Sequence, residues 1–567
     1  MADSSFAYHE PSISTILNQT GFLLVLNLVN TCLDKLLYCG LIGQLFIGIL
    51  WGTPGAKWLD RDTETVIQQL GYLGLIMLVY EGGLSTSLPS LRANMYLSLA
   101  VALTGIAIPM ALSFILMELV SATPLQAFAA GAALSATSLG TTFTILSTTQ
   151  LVATRLGTVT TSAAMLDDVV GLVLVQIISN LGGSGDSFNA VTVIRPLFVS
   201  LGFGIGVVVV CRFMMRPVLL RVLQSRDNLP DFTSTQQFAF LGYTSLLVGL
   251  VAGATYAGTS SLFAAYLAGV ITSWFDSLVR TTPHRASRQA QASSNQSTEP
   301  DSASHAPSHP TQPDCEMVTG QYIYEHYYHG PVSRILIPMF FASIGFAIPI
   351  TEMFQGSIVW RGFVYAILMT FGKMCTGLWL VRISPLAGLT TFVRTLKAPF
   401  SYARSCIHHP STAGTEKDSQ RAVDSDQAQD NTITGSSTPP NQEKVSTPTT
   451  PEPNPPPNQQ HQQDQHSPSA SIPPKPKSLY PASILSLAMV ARGEIGYLIA
   501  SLAESNGIFG ETAEGSSSET YLIVVWAISL CTLIGPISVG TLVKRVKALQ
   551  VQRADTAGLD PLGVWGI

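Results

Sequence analysis

Charged residues are scarce in this sequence: Asp, Glu, Lys and Arg make up 11% of its 567 residues, whereas hydrophobic residues make up 47%. Soluble globular proteins carry about 25% charged residues. The deficit, together with a mean hydropathy of +0.34, excludes an ordinary soluble domain. It predicts an all-α, polytopic membrane protein that also contains polar inserts.

Cysteine motifs and a cleavable leader are lacking as well. The seven cysteines are scattered and show no CxxC spacing, which argues against a disulfide framework and against a metal site. The amino terminus has no basic region followed by a short apolar run, so we expect the first apolar segment to be retained in the membrane. We expect no cofactor, no enzymatic activity and no nucleic-acid partner.

The apolar residues are grouped into about thirteen segments, found with a window of about 19 residues. We expect each to be a transmembrane helix. The segments lie near residues 15–33, 38–52, 66–84, 95–119, 124–148, 156–181, 192–214, 236–253, 257–275, 333–350, 360–382, 480–505 and 520–543.

Basic residues alternate between the loops that join these segments. With the amino terminus outside, the inner loops hold Lys35, Arg92, Arg155, Arg212, Arg216, Arg221, Arg226, Arg280, Arg285, Arg288, Arg394, Lys397, Lys544, Arg545 and Lys547, and the outer loops hold Lys57, Arg61 and Arg195. Cytosolic loops carry an excess of Lys and Arg. We therefore expect an extracellular or lumenal amino terminus and a cytosolic carboxyl terminus, in the plasma membrane or in an endomembrane such as the vacuole, endosome or Golgi.

Two polar inserts divide the apolar sequence. Residues 281–320 are rich in Ser, Gln, His and Pro, and residues 399–478 are richer still in Pro, Thr, Gln and Ser. Neither insert can bury a core, so we expect both to be disordered, on the cytosolic side. The membrane domain then consists of residues 1–280, 321–398 and 479–547, followed by a short cytosolic tail, 548–567.

Two adjacent acids, Asp167 and Asp168, lie near the middle of the sixth apolar segment. One Asp at the centre of a membrane helix costs about 2.5 to 3.5 kcal/mol, so such residues rarely lie there without a role. Neighbours on a helix point about 100° apart. One acid can therefore meet a fixed partner while the other lines a cavity.

Polar residues and glycine interrupt two other segments. The fifth contains the hydroxyl-rich stretch 136–144, with Thr137 and Ser138, and the twelfth contains Arg492-Gly493-Glu494. Each is the middle member of a three-span unit, the fourth to sixth and the eleventh to thirteenth. Paired interrupted segments point to an inverted-repeat transporter whose binding site lies where the two breaks cross. Packing through small residues would explain either stretch taken alone.

Three further charges lie at membrane depth. Lys373, in the eleventh segment, is about two turns from either flank, so pairing with a buried acid is favoured over snorkelling. Its natural partner is one of the two aspartates. Arg492 and Glu494 are two residues apart and do not face each other on an intact helix. We expect them to pair with other segments or with each other across a break.

This ordered set of features resembles the monovalent cation/proton antiporter superfamily, in the branch with paired aspartates typified by bacterial sodium/proton antiporters. The resemblance covers nearly all of the membrane part and leaves out the two inserts. It implies a core domain that moves against a dimerising scaffold domain, and hence a homodimer in the lipid bilayer. By position, Asp168 would bind the cation and the proton alternately, Asp167 would pair with Lys373, and Thr137 and Ser138 would lie in the crossing.

The expected function is exchange of a monovalent cation, sodium first and lithium or potassium as alternatives, for protons by alternating access. Proton and cation would exclude each other at Asp168. Lys373 would pair with Asp167 when no cation is bound and release a proton when that pair breaks, which would make exchange electrogenic. Arg492 and Glu494 would serve ion pairing and coupling.

Three alternatives are weighed against this function. A potassium efflux system of the same fold usually appends a nucleotide-binding domain, and no GxGxxG motif follows residue 543. An intramembrane aspartyl protease needs two acids on separate segments that share a proton, which the adjacent Asp167 and Asp168 cannot provide. A non-transporting sensor remains open, although intact Asp167, Asp168 and Lys373 argue against it.

Overall fold

The computed structural model describes residues 10–37, 39–86, 88–148, 151–152, 154–181, 190–224, 235–281, 319–381, 479–510, 517–554 and 561–566. Every regular element within these ranges is a helix. The predicted disorder of the inserts 281–320 and 399–478 falls almost entirely outside the described residues.

The principal helices follow one another with short connections. They are α1 (Ile13–Leu37), α2 (Gly40–Trp51), α3 (Arg61–Leu84), α4 (Leu88–Leu112), α5 (Pro124–Ser135), α6 (Leu139–Thr148), α7 (Arg155–Leu181), α8 (Ala190–Val210), α9 (Gln236–Ala257), α10 (Ser261–Thr281), α11 (Ile337–Phe346), α12 (Gly356–Met374), α13 (Tyr480–Ala488), α14 (Glu494–Ser505) and α15 (Glu519–Ala554).

The chain is a multi-pass integral membrane protein. Eight of the helices in the described ranges are long and apolar enough to cross a membrane. Each of the thirteen predicted segments coincides with a helix or with a pair of helices separated by a break. How many of them cross the bilayer stays a prediction.

Two predicted ends were wrong. The tenth segment was expected to begin near residue 333, but helical turns start at Gly320 and run through two π-helical stretches into α11. The early turns are rich in Tyr and His and score low on hydropathy, yet Tyr324 is buried. The last segment was expected to end near 543, but α15 continues to Ala554. Hydropathy detects the apolar part of a helix, not the polar turns that extend it.

The two three-span units predicted to be repeats have the same arrangement. In the first, α4 packs along α7 and the broken pair α5–α6 lies between them in sequence; in the second, α12 packs along α15 and the broken pair is α13–α14. The helix α14 crosses both α5 and α7. The units therefore interlock at their breaks, and this places α7 deep inside the protein.

The backbone leaves helical geometry at both breaks. Helix α5 begins with a capping box between Thr123 and Gln126 and ends at Ser135, after which Ala136 is extended (φ −63°, ψ 140°). Helix α13 ends at Ala488, and Gly493 is also extended (φ −152°, ψ −146°) immediately before α14. A Cβ at Gly493 would lie 2.5 Å from the Ser138 hydroxyl, so only glycine allows the second break to approach the first this closely.

The remaining helices pack around this core through close backbone contacts. Helix α10 lies along α3. A Cβ at Gly83 would lie 2.2 Å from the Tyr266 carbonyl oxygen, and a Cβ at Gly269 would lie 2.2 Å from the Tyr80 carbonyl oxygen. Small residues allow membrane helices to approach in this way. At the start of α7, the Arg155 guanidinium lies 5.1 Å from the ring centroid of the buried Trp565, in the segment 561–566.

Candidate ion-binding site

The two breaks meet through their backbones. The Ser138 amide, in the first break, donates to the Ala491 carbonyl in the second at 2.9 Å. The Thr142 hydroxyl donates to the Ala488 carbonyl at 3.2 Å, and the Thr137 Oγ1 atom lies 3.4 Å from the Met489 carbonyl oxygen. Backbone groups left free by one broken helix thus find partners on the other, as non-helical backbone at membrane depth requires.

Asp167 and Lys373 form a buried ion pair at this crossing. The Lys373 Nζ atom lies 2.8 Å from Asp167 Oδ2, and neither side chain is exposed. The ammonium also donates to Thr137 Oγ1 (2.8 Å) and to the Ser135 carbonyl (2.6 Å), and the Thr137 hydroxyl donates to Asp167 Oδ2. All three ammonium hydrogens therefore have acceptors, as a buried cation needs.

Asp168 differs from its neighbour. It lies on a different face of α7, is 7% exposed and has no ion-pair partner in the described part of the chain, where its Oδ1 atom, like that of Asp167, is buried without a hydrogen-bond partner. Buried polar atoms are almost always paired, so an unpaired carboxylate oxygen points to a ligand. Thr161, seven residues earlier and on the same side of α7, has a buried hydroxyl that likewise lacks a partner.

Arg492 and Glu494 turn to the first break and not to each other. The fully buried Arg492 donates from Nη1 to the carbonyls of Ser135 (3.3 Å) and Ala136 (3.1 Å). Glu494, the first residue of α14, accepts from the Ser138 hydroxyl at 3.4 Å. Of the two pairings that the sequence left open, contact with another segment is the one found.

The structure thus brings all seven predicted site residues to one crossing. Sequence reasoning missed the carbonyls of Ser135 and Ala136, which accept hydrogen bonds from Lys373 and Arg492. Backbone acceptors leave no side-chain signal. It also missed Thr532 on α15, whose hydroxyl donates to the Arg492 carbonyl at 2.9 Å; a hydroxyl within an apolar span is a signal that could have found it.

The chemistry of the crossing suits a single small cation. Three acids and two bases are buried here, and together they carry a net charge of −1 when all are ionised. One monovalent cation or one proton would neutralise the group. The unpaired Asp168 oxygen and the nearby hydroxyls are hard oxygen ligands, as alkali and alkaline-earth cations prefer.

Known proteins resemble the chain along much of its length. The family model for the sodium/hydrogen exchanger transmembrane domain matches residues 23–289. The high-affinity Na(+)/H(+) antiporter NhaS3 of Synechocystis is 30% identical over 176 residues, which cover 31% of this chain and 38% of that protein. The probable Na(+)/H(+) antiporter GerT of Bacillus cereus is 30% identical over 186 residues, 32% of this chain and 49% of that protein. The matches thus span less than half of each relative.

Two further matches cover a larger share of the chain. Cation/H(+) antiporter 17 of Arabidopsis thaliana is 29% identical over 253 residues, 41% of this chain and 29% of that protein. Among solved structures, the sodium proton antiporter MjNhaP1 of Methanocaldococcus jannaschii, at pH 8, superimposes with a TM-score of 0.53 over 94% of this chain and 99% of that one, at 13% identity. This structural match shows that the fold is shared.

Proposed function

We propose that the chain is a member of the monovalent cation/proton antiporter superfamily and that it exchanges a monovalent cation for protons across a membrane by alternating access. The observation that carries the proposal is the Asp168 carboxylate, which is buried beside the Asp167–Lys373 ion pair with one oxygen unpaired. Sodium is the first cation to test, because the two bacterial relatives above are named Na(+)/H(+) antiporters.

The proposed mechanism is competition at Asp168. A proton and a cation both neutralise the same charge, so each excludes the other. A carrier with a net charge of −1 in a dry crossing is disfavoured, and the site therefore changes sides only when one of the two is bound. Two broken segments that interlock with α7 provide a unit that can open to either side in turn.

Lys373 has a second role in the proposal. It holds Asp167 in a closed ion pair that also binds the Ser135 carbonyl. Breaking this pair on cation binding would release a second proton from the ammonium, which would make exchange electrogenic. Arg492 would stabilise the conformation of the first break by donating hydrogen bonds to two of its carbonyls.

The experiment compares wild-type protein with Asp168→Asn in liposomes that contain a pH dye, after addition of sodium, lithium, potassium or choline. We expect cation-dependent proton movement in the wild type and none in Asp168→Asn, because the amide can bind neither ion as a charge. Asp62→Asn serves as the matched control, since Asp62 is exposed at the start of α3. Equal traces for wild type and Asp168→Asn would remove Asp168 from the mechanism and favour a non-transporting sensor.

The same liposomes test the competition itself. Raising the pH by one unit lowers the proton concentration tenfold, so the apparent KM for the cation should fall by up to about tenfold per pH unit while protons occupy the site. The fall should level off once the site is deprotonated. A KM that is constant from pH 6 to pH 9 would contradict a shared site.

The orientation and assembly are also proposals. An outside amino terminus and a cytosolic carboxyl terminus follow from the distribution of basic residues, and a homodimer follows from the family resemblance. Cysteine labelling from either side of the membrane and cross-linking in native membranes test these two points.

A further inference from the structure

The five buried charges at the crossing fall into two groups by accessibility. Asp167, Lys373 and Arg492 are 0% exposed, whereas Asp168 and Glu494 each keep 7% of their surface accessible. The two accessible residues are both acids, and they come from different repeat units, on α7 and α14. These two carboxylates are therefore the most accessible of the five charged groups at the crossing.

Glu494 has no cationic partner among the described residues. The ion pairs found there are Arg361–Glu519 and Lys373–Asp167. Arg492 forms no ion pair with Glu494: its Nη1 atom donates to carbonyls of the first break, and its Nε and Nη2 atoms have no hydrogen-bond partner among the described residues. The single side-chain donor to Glu494 is the Ser138 hydroxyl, at the long distance of 3.4 Å. The positive end of the α14 dipole offsets part of the cost of this buried charge, but a carboxylate without a cation at this depth stays unfavourable.

Asp168 lies on α7, which packs directly against α14. A Cβ at Gly171, one turn after Asp168, would lie 3.1 Å from the Cγ2 atom of Ile495, the residue that follows Glu494. The Asp168 Oδ1 atom has no hydrogen-bond partner among the described residues, and Asp168, unlike Asp167, has no ion-pair partner there. Two buried carboxylates on helices in contact are stabilised by a cation bound to both.

We propose that Glu494 is the second carboxylate ligand of the transported cation, which binds to Asp168 and Glu494 together beside the Ser138 hydroxyl. The inference rests on the proposed function, since it assigns a further residue to the same site. It replaces ion pairing with Arg492 as the role of Glu494. Each repeat unit then contributes one carboxylate, so the cation bridges the two units.

Charge explains why the acid is needed. With glutamine at position 494 the crossing has no net charge before a cation binds, and a bound cation would leave a positive charge in a dry site. The alternative is that Glu494 only positions Ser138 by accepting its hydrogen bond. Glutamine has the same size and keeps an acceptor oxygen, so it separates the two roles.

The test measures two properties of Glu494→Gln, Glu494→Asp and wild type: the apparent KM for sodium in proteoliposomes, and the sodium-dependent rise in thermal stability in detergent. We expect Glu494→Gln to raise the KM by about tenfold or more, as loss of a charged contact does, and to weaken the thermal response to sodium in parallel. Glu494→Asp, which keeps the charge, should recover part of both.

The matched control is Glu504→Gln. Glu504 lies on the same helix and accepts hydrogen bonds from Ser518 at 2.7 and 2.6 Å, away from the crossing. It should keep the wild-type KM. Thermal unfolding without sodium checks that each variant is folded.

The outcomes distinguish the two proposals. In one outcome, the wild type exchanges sodium for protons, Asp168→Asn does not, and Glu494→Gln keeps the wild-type KM and thermal response. This outcome would overturn the Glu494 inference alone. A wild-type protein that moves no protons with any cation, yet is folded, would overturn the proposed function and the inference together. An equal rise of KM in Glu494→Gln and Glu504→Gln would also count against a ligand role.

Discussion

The two broken segments satisfy their free carbonyls by different chemistry. At the first break, the carbonyls of Ser135 and Ala136 accept from the charged side chains of Lys373 and Arg492. Both cations come from the other repeat unit. They lie at the carboxyl end of α5, where the helix dipole is negative and favours positive charge.

At the second break, every donor described is neutral. The carbonyls of Ala488, Ala491 and Arg492 accept from the Thr142 hydroxyl, the Ser138 amide and the Thr532 hydroxyl, respectively. The same architectural problem, backbone left free at membrane depth, is thus solved once with charges and once without them.

The difference explains where the acids collect. Two buried cations at the first break require compensating negative charge, and Asp167 supplies it through the ion pair with Lys373. The negative charges of Asp168 and Glu494 then outnumber the one positive charge that remains, that of Arg492. The cationic contacts are therefore concentrated at the carbonyls of the first break, while the carbonyls of the second break are held by neutral donors.

The largest effect is expected from Lys373→Met. It leaves the Asp167 carboxylate buried without its cation and removes a donor from the Ser135 carbonyl. Breaking one side of a buried ion pair typically costs about 3–5 kcal/mol of the free energy of unfolding. The thermal unfolding temperature in detergent should fall strongly, and exchange should be lost.

The double variant Asp167→Asn/Lys373→Met tests the cause. Replacing both charges is often nearly neutral, so we expect most of the lost stability to return. Lys544→Met, at an exposed position of α15, controls for the substitution itself. A double variant as unstable as Lys373→Met would show that packing of the lysine chain, and not its charge, stabilises the first break.

A smaller effect is expected from Arg492→Lys. The charge is kept, but a single ammonium group on a shorter chain cannot span the carbonyls of Ser135 and Ala136. The loss of one charged hydrogen bond should cost about 1.5–3 kcal/mol, read as a lower unfolding temperature. Arg545→Lys, at an exposed site on α15, should have no effect; equal stability of the two variants would mean that charge alone is enough at the first break.

The sequence predicted much of this arrangement because charge inside an apolar run is conspicuous. Asp167, Asp168 and Lys373 stand out at membrane depth, and glycine and hydroxyl residues mark both breaks, at 136–138 and 489–493. Helix order and position followed from hydropathy. Such signals are local, because a charged residue within an apolar run can be recognised without knowing its partners in the fold.

The partners of those residues could not be predicted in the same way. The sequence left open whether Arg492 pairs with Glu494, and the structure directs it to the carbonyls of Ser135 and Ala136. Backbone carbonyls are present at every position, so only the crossing angle of the helices decides which are free. The helical turns from Gly320 were missed for a related reason, since their burial depends on packing of Tyr324 and not on hydropathy.

The smallest effect is expected from Thr142→Val, which tests the neutral side of the comparison. The Thr142 side chain is fully buried, and its hydroxyl donates one hydrogen bond to the Ala488 carbonyl, at 3.2 Å. Valine has nearly the same shape as threonine, so the variant should lose only the hydrogen bond. The free energy of unfolding should fall by about 1 kcal/mol. Exchange should persist with an unchanged KM for the cation, because no charge is altered.

Thr65→Val, whose hydroxyl is exposed on α3, provides the matched control and should leave the unfolding temperature unchanged. If Thr142→Val instead lowers stability as much as Arg492→Lys, a neutral donor contributes as much as a charged one, and the two breaks do not differ in the way their contacts indicate. If it abolishes exchange while the protein stays folded, the Thr142 hydroxyl itself takes part in ion binding. The proposed difference between the two breaks therefore requires that removal of the Thr142 hydroxyl has only a small effect on stability and none on exchange.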